Sequence, residues 1–199
     1  MINKALGLLL GMLTASAVAQ KKSAKIPSLS SYIPTRPTTD NSTFANTDYI
    51  QDYHMHIDWD YVFWTNSTIL GSVTHDCRVI QETDFATFDF WGQTIINVTA
   101  VAAGEAQAAT REGRRVNNLG AFMLNYTITS PDPASGSVLT VEFPTTMPVG
   151  SSYGIQIFYT TAPNSMALTW LTPAQTAGGV YPYLFSQSED INGRSMIPM

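Results

Sequence analysis

Two imidazoles two positions apart, His54 and His56, stand between Asp52 and Asp58, and together they form the first grouping able to do chemistry. On a β-strand, residues i and i+2 share a face, so both rings could reach one metal ion, with either aspartate completing the set. The simpler reading is a polar, solvent-facing row opposite an apolar one. The third histidine, His75, falls in phase with apolar neighbours and reads as a hydrogen-bonded core residue. The sequence has no His-Glu-x-x-His helix, no phosphate loop and no dinucleotide fingerprint. Arg111, Arg114 and Arg115 lie near Glu105 and Glu112, a mixture that suits a solvated loop better than an anion site. With a single cysteine there is no internal disulfide. Cys77 alternates with Ile69, Gly71, Val73 and Val79, so a buried, inert thiol is expected.

The second grouping is Gln187, Ser188 and Glu189, which follows the apolar run Tyr183-Leu184-Phe185. A carboxylate placed just beyond a strand is held at a rigid edge. There it could bind a cationic group, such as a free amino terminus, through charge-assisted hydrogen bonds. Exposed glutamates are common, so an ordinary solvated side chain is the competing reading. No metal site is expected of this chain itself.

These residues need a scaffold, and the pattern supplies strands. Tyr53, Met55, Ile57, Trp59 and Tyr61 alternate with Asp52, His54, His56, Asp58 and Asp60, which predicts a long half-buried strand. A turn at residues 65–67 leads into a second strand over 68–80. Further strands are expected at 85–90, 94–102, 121–129, 137–143 and 153–161. Pro131-Asp132-Pro133, Ser135-Gly136 and Pro148-Val149-Gly150 supply turns between some of them. Only residues 100–115 lean helical, and Gly104 and Gly113 weaken that preference. The expected fold class is all-β, a sandwich or saddle of antiparallel and mixed sheets.

Composition agrees with one globular domain: 199 residues, 44% hydrophobic and 13% charged. A formal charge of −5 argues against a polyanion partner such as nucleic acid. Lys4, an apolar stretch over 5–13 and Ala17-Val18-Ala19 predict a secretory signal peptide over residues 1–19. The stretch is too short for a membrane span. Residues 20–48, rich in Lys, Ser, Thr, Pro and Asn, read as a disordered leader or linker before a domain over 49–199. Four Asn-x-Ser/Thr sequons, at Asn41, Asn66, Asn97 and Asn125, fit a secreted, extracellular glycoprotein. Strand alternation predicts that Asn97 and Thr99, and likewise Asn125 and Thr127, point outward.

Several residue choices are not dictated by strand alternation: Ala167-Leu168, Trp170-Leu171-Thr172-Pro173, Gln175-Thr176, the run 182–187, Arg194 and Ile197-Pro198. In these the chain resembles the leukotriene A4 hydrolase type of zinc aminopeptidase, peptidase family M1. The resemblance implies an N-terminal saddle-like β domain packed over a zinc-bearing catalytic domain. It implies that Gln187, Ser188 and Glu189 line the substrate cleft, with Glu189 helping to bind the peptide's amino terminus. The zinc ligands, the general-base glutamate and the family's Gly-x-Met-Glu-Asn loop are missing, so a truncated chain, inactive by itself, is expected, with zinc held only in the complete enzyme. The alternative is a stand-alone secreted β-sandwich module binding peptides or glycans.

Overall fold

The computed structural model describes residues 37, 40–116, 121–132 and 134–199. The expected signal peptide and most of the leader lie outside these residues. Ten strands and one α-helix follow in order: β1 (Ile50–Phe63), β2 (Thr68–Val79), β3 (Thr83–Phe90), β4 (Thr94–Val101), α1 (Glu105–Glu112), β5 (Phe122–Met123), β6 (Tyr126–Asp132), β7 (Gly136–Met147), β8 (Ser152–Thr160), β9 (Leu168–Leu171) and β10 (Tyr183–Ser186). A five-stranded sheet runs β1-β2-β8-β4-β5, a three-stranded sheet runs β3-β7-β6, and β9-β10 make a separate ribbon. Every pairing is antiparallel, so the mixed sheet expected from the sequence does not occur among the described residues.

The inward faces of the two larger sheets meet in one core. Val73, Cys77 and Val79 of β2, with Ile155, Ile157 and Tyr159 of β8, pack with Phe88 and Phe90 of β3 and Leu139 and Val141 of β7. Burying each such aliphatic or aromatic side chain contributes about 1.5–3 kcal/mol. The β1–β2 pair comes very close at Gly71, where a Cβ would lie 2.3 Å from the Asp58 carbonyl oxygen. Only glycine fits there.

Four expectations change. The strand expected over 121–129 is split: β5 pairs with β4 in the large sheet and β6 with β7 in the small one. Leu124 and Asn125 carry the chain between sheets, with Leu124 N–H donating to Val98 O and Asn125 O accepting from Glu142 N–H. Gly104 and Gly113, read as helix-weakening, instead bound α1, both in the left-handed region at φ 78° and 62°. Gly113 N–H donates to Thr110 O and Arg114 N–H to Ala109 O, the bond pattern that closes a helix at a left-handed glycine.

The burial pattern of β1 is also reversed. Tyr53, Met55, Ile57, Trp59 and Tyr61 are exposed, whereas His54, His56, Asp58 and Asp60 are half-buried. Met55 and Ile57 sit opposite His75 and Val73, so they continue the core face, but the large sheet is two strands wider than the sheet that covers it. The polar row lies on the side where α1 packs on β1 and β2. Finally, the ordered domain begins before residue 49. Phe44 is buried, and the Asn46 side chain accepts from Thr87 N–H and donates to Phe85 O. That side chain thereby bonds the outer edge of β3 as a neighbouring strand would.

Candidate functional site

The β9–β10 ribbon pairs Leu168 with Ser186 and Leu171 with Tyr183. Gln187 continues its line, with its N–H donating to Ala167 O at 2.9 Å. Beyond it the backbone turns and satisfies itself locally. Glu189 N–H donates to Gln187 Oε1 at 3.1 Å, Asn192 Nδ2 donates to Glu189 O at 2.7 Å, and Gly193 N–H donates to Ser188 O at 3.2 Å. Gln187, Ser188 and Glu189 are all exposed. The result is a rim whose backbone is fixed and whose side chains face solvent.

The segment after the rim is fastened to the core. Ser195 Oγ accepts from Ala167 N–H at 2.9 Å and donates to Asn192 O at 2.7 Å. Met199 and Asp89 exchange both backbone hydrogen bonds, at 2.6 and 2.9 Å. Arg194 is buried: its Nη1 donates to Ser135 O and its Nη2 to Ser42 O, each at 2.8 Å. Its Nη2 also lies 3.5 Å from Asp89 Oδ2. The same carboxylate accepts from Thr43 Oγ1 at 2.5 Å and from Phe44 N–H. One buried ion pair thus joins the leader, β3 and the rim segment.

Between these pieces lies a cleft of about 490 Å³, with Ser188, Asp190 and Ile191 on one side and Asp40, Ser42 and Thr43 on the other. Asp89 and Arg194 also line it. Its charged residues are three aspartates and one arginine, an acidic excess suited to an ammonium group. Of the three rim residues, Ser188 lines this cleft and Gln187 and Glu189 do not. Sequence reasoning did not single out Asp40, Asp89 or Asp190 as cleft residues. The available signal was Asp89, an acid held between Phe88 and Phe90 in an otherwise inward-facing strand.

His54 and His56 serve a different purpose. His54 Nε2 and His56 Nδ1 lie 3.0 and 2.9 Å from the same Thr110 hydroxyl of α1, and His56 Nε2 lies 3.3 Å from Asp58 Oδ2. Among the described residues, no group of three His, Cys, Asp or Glu could hold a metal ion. The pair therefore docks α1 on the sheet and does not fit the zinc of related enzymes. His75 is fully buried, its Nδ1 2.5 Å from Asp52 Oδ2 and its Nε2 3.1 Å from Pro198 O. Cys77 is fully buried, and burial pushes its thiol well above the ordinary range. Arg114 pairs with Glu105 and Glu112, and Arg115 with Asp60. Asn41, Asn66 and Asn125 are exposed, while Asn97 is half-buried and Thr99 is buried, against the alternation argument. A register shift between Ile95 and Asn97 accompanies that difference.

The fold is an antiparallel β domain of the kind that opens the M1 aminopeptidases. The chain is homologous to leucine aminopeptidase 2 and leukotriene A4 hydrolase over the N-terminal 23% or so of those proteins. Leucine aminopeptidase 2 of Yarrowia lipolytica is 33% identical over 162 residues, covering 81% of this chain and 22% of that protein. Leukotriene A4 hydrolase of Xenopus laevis is 27% identical over 159 residues, covering 80% of this chain and 23% of that protein. The solved structure of yeast leukotriene A4 hydrolase in complex with bestatin matches with a TM-score of 0.62 at 25% identity, over 84% of this chain and 23% of that one. The chain thus spans less than a quarter of the length of these relatives. No protein-family model matches it. Among the described residues, no helix is long and apolar enough to cross a membrane.

Proposed function

We propose that this chain is the N-terminal β domain of a secreted zinc aminopeptidase, and that it supplies one wall of the peptide-binding cleft. Glu189 binds the ammonium group of the peptide's first residue, and Gln187 and Ser188 shape the pocket beside it. The observation that carries this reading is the rim itself: three exposed polar residues on a backbone tied down by local hydrogen bonds, so that little backbone entropy is lost when a side chain there binds a cation. In this reading the zinc and its ligands belong to sequence outside these 199 residues, and no catalytic step runs through this chain.

The test is a chimaera in which this chain replaces the corresponding N-terminal stretch of the Yarrowia lipolytica leucine aminopeptidase 2. The expected result is hydrolysis of a leucyl arylamide by the chimaera and none by the purified chain supplied with zinc. Turnover by the chain alone, or a folded chimaera that cannot bind substrate, would overturn the proposal.

A further inference from the structure

Of the four sequons, Asn66 alone has an aromatic residue two positions before it. The sequence reads Trp64-Thr65-Asn66-Ser67-Thr68, whereas Thr39, Ile95 and Met123 hold that place before Asn41, Asn97 and Asn125. Residues 64–67 connect β1 to β2 beyond the closing pair Phe63–Thr68. Ser67 adopts a left-handed φ of 55°, which folds the connection into a tight reversal. Thr68 Oγ1 donates to Asn66 Oδ1 at 2.9 Å, so the two side chains that define the sequon are held together. Asn66 itself is exposed, as a transferase requires.

The reversal borders a cleft. Trp64, Thr65 and Ser67 line one side, and Trp170, Leu171, Thr172, Pro173 and Pro182 line the other, enclosing about 300 Å³. That is the lower end of the range for small-ligand pockets, about 300–1,000 Å³. Trp64 meets Trp170 edge-on, with ring centroids 5.2 Å apart and planes at 88°, and it remains 44% exposed. The indole Nε1–H of Trp170 is enclosed and has no hydrogen-bond acceptor among the described residues. Among the described residues no charged side chain lines the cleft, which suits an uncharged occupant.

We propose that Asn66 carries an N-linked glycan whose first residue, an N-acetylhexosamine, packs into the Trp64–Trp170 cleft. The C–H face of the sugar ring lies on the electron-rich face of Trp64. The ring hydroxyls meet Thr65, Ser67 and Thr172. In the transfer step a bond forms between Asn66 Nδ2 and C1 of the sugar of a lipid-linked oligosaccharide diphosphate. The C1–O bond to the diphosphate breaks, the lipid diphosphate leaves with that electron pair, and the transferase removes one proton from Nδ2. This inference rests on entry into the secretory route and is independent of the peptide-binding reading.

The experiment uses the full chain behind a leader of known secretory function, translated in the presence of microsomes. Asn41, Asn97 and Asn125 are changed to Gln, so that Asn66 is the single acceptor. A glycosidase-sensitive gel shift is expected, with occupancy at least halved by Trp64→Ala and retained by Trp64→Phe. On the purified glycoprotein, enzymatic removal of the glycan should change the tryptophan fluorescence and lower the melting temperature, and Trp64→Ala should abolish both effects. An unshifted chain overturns the modification. A shifted chain with occupancy, fluorescence and melting all indifferent to residue 64 overturns the packing.

Discussion

Replacing Arg194 with leucine should be the most damaging single change available near the rim, and the structure allows its size to be worked out. The guanidinium is 5% exposed and donates to the carbonyls of Ser135, Ser42 and Ile191 while facing Asp89, which is 2% exposed. Removing one member of a buried ion pair leaves the other charge uncompensated, at a cost of about 3–5 kcal/mol. Each carbonyl deprived of its donor adds about 1–3 kcal/mol where water cannot reach it. Part of this is recovered because Asp89 keeps the Thr43 hydroxyl and the Phe44 N–H. The ion pair alone therefore sets the expected loss at about 4 kcal/mol or more, which for a domain of this length lowers the melting temperature by roughly 10 °C or more. Urea and thermal unfolding followed by circular dichroism would measure it. Combining Arg194→Leu with Asp89→Leu should cost less than the two single changes added together, since the second removes the orphaned charge. A loss below about 1 kcal/mol, or strict additivity, would refute the claim that this pair ties the leader, β3 and rim segment together.

Gly71→Ala should destabilise the domain by about 2 kcal/mol or more and loosen β1, because the new methyl meets backbone 2.3 Å away; hydrogen exchange across β1 and β2 reads this directly. Burial raises Cys77, Tyr153 and Tyr159 above their ordinary values, so the unfolded chain releases these protons first as the pH rises. Stability is then fully present below the unfolded-state values and falls above about pH 9, by up to ~1.4 kcal/mol per pH unit for each group. Urea midpoints from pH 7 to 10.5 check the sign. Alkylation of Cys77 should likewise be undetectable at pH 7.5 in the folded chain and rapid in urea, as read by mass spectrometry.

Much of the fold was legible because its strands alternate cleanly where they face one core. β2, β3, β4, β7 and β8 lie within a few residues of the segments that periodicity marks out. What stayed hidden depended on neighbours rather than on pattern. The apolar row of β1 looks like a core face and packs like one in register, yet it overhangs a sheet too narrow to cover it. Gly104 and Gly113 have low intrinsic helix propensity, but at a terminus the left-handed conformation they permit is what a helix boundary uses. The rim residues were visible in the sequence, whereas the acidic cleft beside Ser188 was not. It is assembled from Asp40, Asp89 and Asp190, which are brought together only by tertiary packing.

The central claim is that residues 187–189, on a fixed backbone, present a carboxylate to an incoming ammonium group. The measurement that bears on it most directly is the steady-state kinetics of the chimaera with and without Glu189→Ala, using a leucyl arylamide. Losing one charge-assisted hydrogen bond of about 1.5–3 kcal/mol should raise KM by roughly tenfold or more, with kcat changing less. An unchanged KM in a variant that folds and binds zinc normally would contradict the account.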